Sequence, residues 1–346
     1  MMPKPSSRER GFSLVELMVG IVVAMAAVLV VTQVFRVSEG QRRATMGTDD
    51  AQTTGAIALS MLQRDLRQAG QGLMSPQLVL CQLDLGSGGT VPALAPFFIN
   101  PPGIPQGDDD TDVLMVAYGA GWGSPEGGLI ALQPGPATYA VPGSLSYQPG
   151  DRVIVTLANR PTTCNLTLTS VQGNPTTATV TVAAGLAGAA NGVLFNLGRQ
   201  PRFLVYAVRQ KRLTVCDMMV QSCTSIAAAN WTEVADNIVS LRAEYARDTA
   251  TPRSGLAGTY DAVNTKLAAS ASAWSCIVGL RLALVARSRQ PETVDVVAPA
   301  PSWAGGSAIA PPGTDWKRYR YRTFETTVPL RNAVDPADAT WGGTCP

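Results

Sequence analysis

The sequence predicts an α+β protein, with one long N-terminal helix leading into a β-rich head. Three observations carry this expectation. The stretch from Phe12 to Phe35 is apolar and holds a single charge, Glu16. Further on, Leu59, Leu62, Leu66, Ala69 and Leu73 recur at spacings of three and four, the period of one helix face. After residue 75 the pattern turns to short β-type segments separated by Gly/Pro-rich stretches, in a chain with 33 Gly and 25 Pro among 346 residues.

The chain opens on MMPKPSSRERG, residues 1–11, a polar segment with Lys4, Arg8 and Arg10 against Glu9. The apolar stretch, 12–35, follows directly. At ~1.5 Å per helical residue it reaches ~36 Å, enough for a hydrocarbon core of ~30 Å. Basic residues ahead of it predict a cytoplasmic N-terminus with the remainder outside. An ordinary secretory signal places its apolar stretch before the cut. Here the polar leader abuts the apolar stretch, so the expected cut lies between Gly11 and Phe12 and the helix stays on the mature chain. Gly11 has no side chain and leaves its backbone open to a protease. Glu16 stands out within the apolar run, because a carboxylate at mid-bilayer costs about 2.5–3.5 kcal/mol, less near a helix end. It reads either as a tolerated interfacial charge or as a partnered one. The partner would be an α-amino group, such as the one cleavage creates on Phe12 of a neighbouring subunit.

From Arg36 to about Leu73 the pattern is again helical, with Arg64, Asp65, Arg67 and Gln68 on faces other than the leucine stripe. The stripe is expected to pack on the head's own sheet rather than in a coiled coil. Gly70 and Gly72 are the expected terminators. Gly40, Gly47 and Gly55 each weaken the helix by about 1 kcal/mol relative to Ala, so a bend or local melting is expected there. In the head, the expected strands are 112–118, 151–157, 166–171, 176–183, 203–209, 212–216, 238–245, 276–287 and 319–328. In the segment 276–287, Val278, Leu280, Leu282 and Leu284 form one apolar face and Arg281 and Arg287 lie on the other, the pattern of a half-buried strand. Stretches 86–107, 119–150 and 288–315 read as loops.

Composition narrows the chemistry. There is no histidine, which removes His-based acid–base catalysis, His-activated nucleophiles and His-ligated metals. Lys and Arg number 27 against 25 Asp and Glu, so no polyanion-binding surface follows. The six cysteines form no C-x-x-C pair. An even number in a chain expected to leave the cytoplasm points to disulfides. Cys216 and Cys223 flank a short turn after a strand and are expected to pair. Cys81, Cys164, Cys276 and Cys345 allow three pairings. Cys81–Cys164 with Cys276–Cys345 is the one taken, without a sequence argument that selects it.

Three further patterns have a functional reading beside a plain one. Gly119, Gly121 and Gly123 follow a strand, but Pro125, Gly127 and Gly128 follow where a dinucleotide-binding helix is needed, so a loop is expected. Asp108, Asp109, Asp110 and Asp112 are acidic enough for calcium, yet match no EF-hand spacing and sit beside Pro105 and Gly107, so a turn is expected. Arg318, Arg320 and Arg322 alternate with Tyr319 and Tyr321 and would share one face of a strand. Such a face can bind single-stranded nucleic acid, but the net charge is only +2, and pairing with carboxylates of a neighbouring strand or subunit is the reading taken. No cofactor, metal or catalytic residue is expected.

The segment GFSLVELMVGI, residues 11–21, resembles the type IV prepilin signature. That resemblance implies a prepilin peptidase that cuts after Gly11 and N-methylates Phe12, with Glu16 as the assembly residue. LQRDLRQAG at 62–70, WTEVADNIVSLRAEYARD at 231–248, CIVGLRLALVARS at 276–288 and YRTFETTVPLRN at 321–332 are similar to the minor pilin family PilW. The segment 75–200 is weakly matched. The family implies a type IV pilin fold, a long N-terminal helix whose second half packs on an antiparallel β-sheet head. The chain then divides into a cleaved leader (1–11), a transmembrane and assembly helix (12–35), an amphipathic second half (36–74) and a periplasmic β-rich head (75–346). The implied function is a minor pilin that helps initiate a type IV pilus and joins its tip complex. Implied partners are the prepilin peptidase, other minor pilins, the major pilin, a PilY-type tip adhesin and the inner membrane. Location would shift from the inner membrane, head in the periplasm, to the pilus tip. Alternatives are a J-type minor pseudopilin of type II secretion and a DNA-uptake competence pilin. A membrane-anchored periplasmic enzyme is a further rival.

Overall fold

In the computed structural model, a single helix, α1, runs without interruption from Leu14 to Gln68. The structure describes residues 13–86, 89–121, 124–176, 178–264, 267, 271–296, 299–306, 308–309, 311, 313–332 and 345. The expected cleavage residues Gly11 and Phe12, and Gly123 of the glycine run, lie outside the described residues. The local melting expected at the glycines does not occur, since Gly40, Gly47 and Gly55 all lie within the unbroken helix. Two of the three glycines sit where the helix meets the sheet. A Cβ on Gly55 would overlap the edge of the Phe324 ring, and one on Gly47 would lie 3.0 Å from Ser288 Cβ. Their missing side chains let strand and helix approach, and that packing offsets the propensity cost. Gly40 has open space around it.

The helix ends five residues earlier than the leucine spacing predicts. Ala69 is already extended, and Gly70 (φ 80°) and Gly72 (φ 70°) adopt the left-handed backbone that glycine accepts without strain. Gly70 N–H donates to Ala117 O at 2.9 Å, so the turn is tied to the head. Leu73 stays fully buried although it is no longer helical.

Among the described residues the head contains four sheets. A six-stranded sheet runs in the order β2 (Thr90–Val91), β1 (Gln82–Asp84), β9 (Asn165–Ser170), β8 (Arg152–Val155), β11 (Val193–Asn196), β5 (Gly128–Leu129). Its β1–β9 pair is parallel; the other strand pairs are antiparallel. A three-stranded sheet is ordered β10 (Thr179–Thr181), β7 (Thr138–Ala140), β6 (Leu132–Gly135). Five strands form the third: β14 (Thr232–Asp236), β13 (Arg212–Asp217), β12 (Arg202–Arg209), β4 (Leu114–Tyr118), β3 (Phe97–Ile99). The last is β16 (Thr259–Asp261), β15 (Ile238–Arg247), β17 (Ile277–Arg287), β18 (Tyr321–Pro329).

Each expected strand segment overlaps an observed one, but the loops are less empty than the Pro/Gly content implied. Stretch 119–150 holds β5, β6 and β7, and 86–107 holds β2 and β3. These strands are two to four residues long. Segments so short carry no readable alternation and exist because a neighbour supplies their hydrogen bonds.

The main core joins α1 to the five- and four-stranded sheets through Ala58, Leu62, Leu66, Val205, Leu241, Leu282 and Leu284 among others. A separate cluster lies in the weakly matched middle, where Tyr139 and Val180 of the three-stranded sheet meet Val153, Val155 and Leu194 of the six-stranded one. β17 is not half-buried as its alternation suggested. Its even positions Leu280, Leu282 and Leu284 face the main core, while Val285 on the other face packs with Val239 and Ile309. The returning segment around Trp303 and Ile309 covers that second face. Three disulfides join Cys81 to Cys164, Cys216 to Cys223 and Cys276 to Cys345.

Candidate assembly site

The helix changes surroundings along its length. Every residue from Ser13 to Arg42 is exposed, and the most apolar window, with a mean hydropathy of 2.8, is unburied throughout. Burial starts at Ala51 and recurs at Gly55, Ala58, Leu62, Asp65, Leu66 and Ala69, a stripe at helical spacing. The first half thus presents an all-round apolar rod that no described residue covers. Water would penalise it at roughly 25 cal/mol per Å² of apolar surface, so it belongs in lipid or against other apolar helices.

Glu16 lies in the first turn of α1. A carboxylate there is favoured by the positive end of the helix dipole. No described residue pairs with it. Its expected partner is the Phe12 amine of a neighbouring subunit, not a group of its own head.

A second helix carboxylate is treated in the opposite way. Asp65 is only 3% exposed and accepts hydrogen bonds from the hydroxyls of Tyr118, at 3.1 Å, and Tyr206. Arg64 Nε lies 3.5 Å from the same carboxylate. Burial, reinforced by the Asp65 charge, pushes the Tyr118 hydroxyl up to about 12 and Tyr206 higher still. Both phenols therefore stay protonated and donate. The sequence reading set Asp65 on a face away from the stripe. Its spacing shows otherwise: it lies seven residues after Ala58 and four before Ala69, both fully buried. Asp65 clamps α1 to β4 and β12.

The other patterns resolve into structural contacts. Asp108 accepts from the backbone N–H groups of Gln210 and Lys211, both at 2.7 Å, where the β12–β13 turn has φ of 52° and 60°. Asp110 pairs with Arg242 at 2.7 Å, and Asp112 accepts from Asn100 and Ala243. Their oxygens diverge to separate partners instead of converging on one point. Gly119 N–H donates to Gln71 O at 2.8 Å, and Gly121 presses on Asn196 O so closely that a Cβ would clash. The three arginines do not share a strand. Arg318 ends a 3-10 turn, Arg320 pairs with Glu292 at 2.8 Å, and only Arg322 lies in β18. The turn at 314–318 breaks the alternation on which a common face depended.

Residues 205–332 match the family model described as Type IV Pilus-assembly protein W. Residues 6–32 match the prokaryotic N-terminal methylation motif. The first match takes in most of β12 and all strands from β13 to β18, including those against α1; the second takes in Glu16 and most of the exposed apolar helix. Residues 33–204 match neither. No curated protein and no solved structure gives a significant match. The two matches fall on the two parts of the molecule that geometry singles out, an uncovered apolar helix and the sheet that grips its far half, and the chain is a PilW-like minor pilin, a membrane-anchored member of the structural proteins of type IV pilus assembly.

Proposed function

We propose that this minor pilin helps initiate the pilus and takes a place in its tip complex with other minor pilins. In this reading the peptidase cuts after Gly11 and methylates the new N-terminus of Phe12. The apolar helix holds the chain in the inner membrane with the head in the periplasm, and passes into the filament on assembly. The major pilin and a PilY-type tip adhesin are its further partners. One observation carries the reading: Glu16 is a lone carboxylate on an uncovered apolar helix, and no described residue pairs with it. Pairing with the Phe12 amine of a neighbouring, axially offset subunit offsets the charge penalty and holds only at the correct stagger.

The test is a strain whose sole copy carries Glu16→Ala. Membrane insertion and a mature mass beginning at N-methyl-Phe12 are expected to be unchanged, because the neutral side chain enters lipid more easily. Pilus yield and co-purification with the other minor pilins are expected to fall together. Wild-type piliation would show that Glu16 is a tolerated interfacial charge.

A further inference from the structure

Strand β18 closes the four-stranded sheet on one side, and among the described residues no strand lies beyond it. Its register with β17 is continuous from Gly279↔Pro329 to Arg287↔Tyr321, without a bulge. Just outside the strand, Leu330 N–H donates to Val278 O and Ser288 N–H to Arg320 O. Antiparallel pairs alternate between bonded and non-bonded residues. Arg322, Phe324, Thr326 and Val328 therefore bond to β17. Tyr321, Thr323, Glu325 and Thr327 turn their N–H and C=O groups away from it, and no described residue meets them across that edge.

The length of this open edge sets it apart. Here it is nine residues, whereas the other edge strands among the described residues have two to five. Folded proteins ordinarily keep open edges short, bulged, or studded with charge and proline, because a long flat edge recruits another strand. β18 carries Arg322, Glu325 and a proline at its last position only; the remainder is aromatic, threonine and valine, residues suited to pairing. It also adjoins the assembly helix: Phe324 seats on Gly55, and Gln63 Nε2 donates to Thr326 Oγ1 at 2.9 Å. A strand added here would stand beside α1.

We propose that the open edge of β18, from Tyr321 to Thr327, takes an extended strand from another minor pilin of the assembly complex. The partner strand sets a lysine or arginine opposite Glu325. A second copy of this chain fits badly, because symmetric antiparallel pairing centred on Glu325, like in-register parallel pairing, opposes two Glu325 carboxylates. The proposal rests on the reading of the chain as a pilus subunit and adds the surface by which its head is joined.

The experiment uses the full chain co-expressed with the other minor pilins. Thr323→Pro with Thr327→Pro removes two outward donors and leaves the ladder to β17 in place, since neither residue bonds to it. Co-purification of a minor pilin is expected to fall roughly tenfold or more while the native melting transition persists. A photo-cross-linking residue at Thr327 is expected to capture a minor pilin through one extended peptide. Unchanged co-purification of the proline variant overturns the proposal. So does cross-linking only to residues 333–344 of the same chain, which would make the edge an internal seam. If the proline variant loses its melting transition, Glu325→Lys decides. It keeps every backbone group and is expected to weaken the complex several-fold, and an unchanged complex overturns the proposal. Glu16→Ala run in parallel separates the failures: normal piliation there undermines the pilus reading itself, whereas an insensitive edge alone undermines only the strand partner.

Discussion

Between Ser13 and Arg42 the long helix is exposed at every residue, whereas from Ala51 to Gln68 it buries a continuous stripe against the head. Each half contains a carboxylate set among apolar neighbours. Asp65 is satisfied by this chain, through two tyrosine hydroxyls and a nearby arginine. Glu16 finds no partner among the described residues. The contrast separates two jobs that look alike in sequence. A charge answered from within the chain fixes how the head sits on the helix. In the proposed reading, a charge left unanswered among the described residues is met by a neighbouring subunit.

The comparison breaks first at Asp65. Asp65→Ala leaves two buried hydroxyls without their acceptor and is expected to destabilise the head by about 3 kcal/mol. Denaturant titration of the full chain in detergent, followed by tryptophan fluorescence, measures it. Glu16→Ala is expected to leave that curve unchanged. Equal effects of the two changes on head stability would erase the distinction.

A smaller effect follows from pH. The phenol of an unfolded chain titrates near 10, and burial chiefly, then the Asp65 charge, raises Tyr118 to about 12. A raised pKa stabilises the fold fully below pH ~10 and loses that contribution as pH climbs toward ~12, because the unfolded chain gives up its proton first. Head stability is expected to fall across that interval, and less steeply in Tyr118→Phe. Melting temperatures at stepped alkaline pH check the slope.

The glycines supply the finest test. Gly55→Ala drives a methyl group into the Phe324 ring and is expected to destabilise the head by about 1–2 kcal/mol, overpacking outweighing the gain in helix propensity. Gly40→Ala meets nothing within 4 Å and is expected to stabilise the helix by up to about 1 kcal/mol, seen as slower amide exchange around residue 40. The same substitution in the two halves thus has opposite signs. A loss of stability at Gly40 would mean that the exposed half is already packed against something.

Much of the architecture was legible in the chain. The apolar run, its single carboxylate and the leucine stripe each depend on neighbours a few residues away along one helix, so their spacing carries them. The longer strands, such as β12, β15 and β17, were readable because eight to eleven residues hold enough alternation or apolar continuity to register. Strands of two to four residues were not, and segments rich in proline and glycine hid β5, β6 and β7. Asp65 was misplaced for a related reason. Its stripe position is visible in the spacing, but a carboxylate reads as solvent-facing until the two tyrosines that receive it are known.

By itself, then, the sequence determined that an apolar helix with one carboxylate leads into a β-rich, disulfide-bearing head, because solvent preference and local periodicity are properties of the covalent chain. Only the tertiary structure decided what depends on residues distant in sequence. It brought Tyr118 and Tyr206 to Asp65 and set Phe324 on Gly55, which turned a helix-weakening glycine into a packing site. It buried the second face of β17 under a returning segment and left the far edge of β18 without a strand partner among the described residues. Such outcomes turn on which strand lies beside which, and strand order is set by the packing of the whole chain.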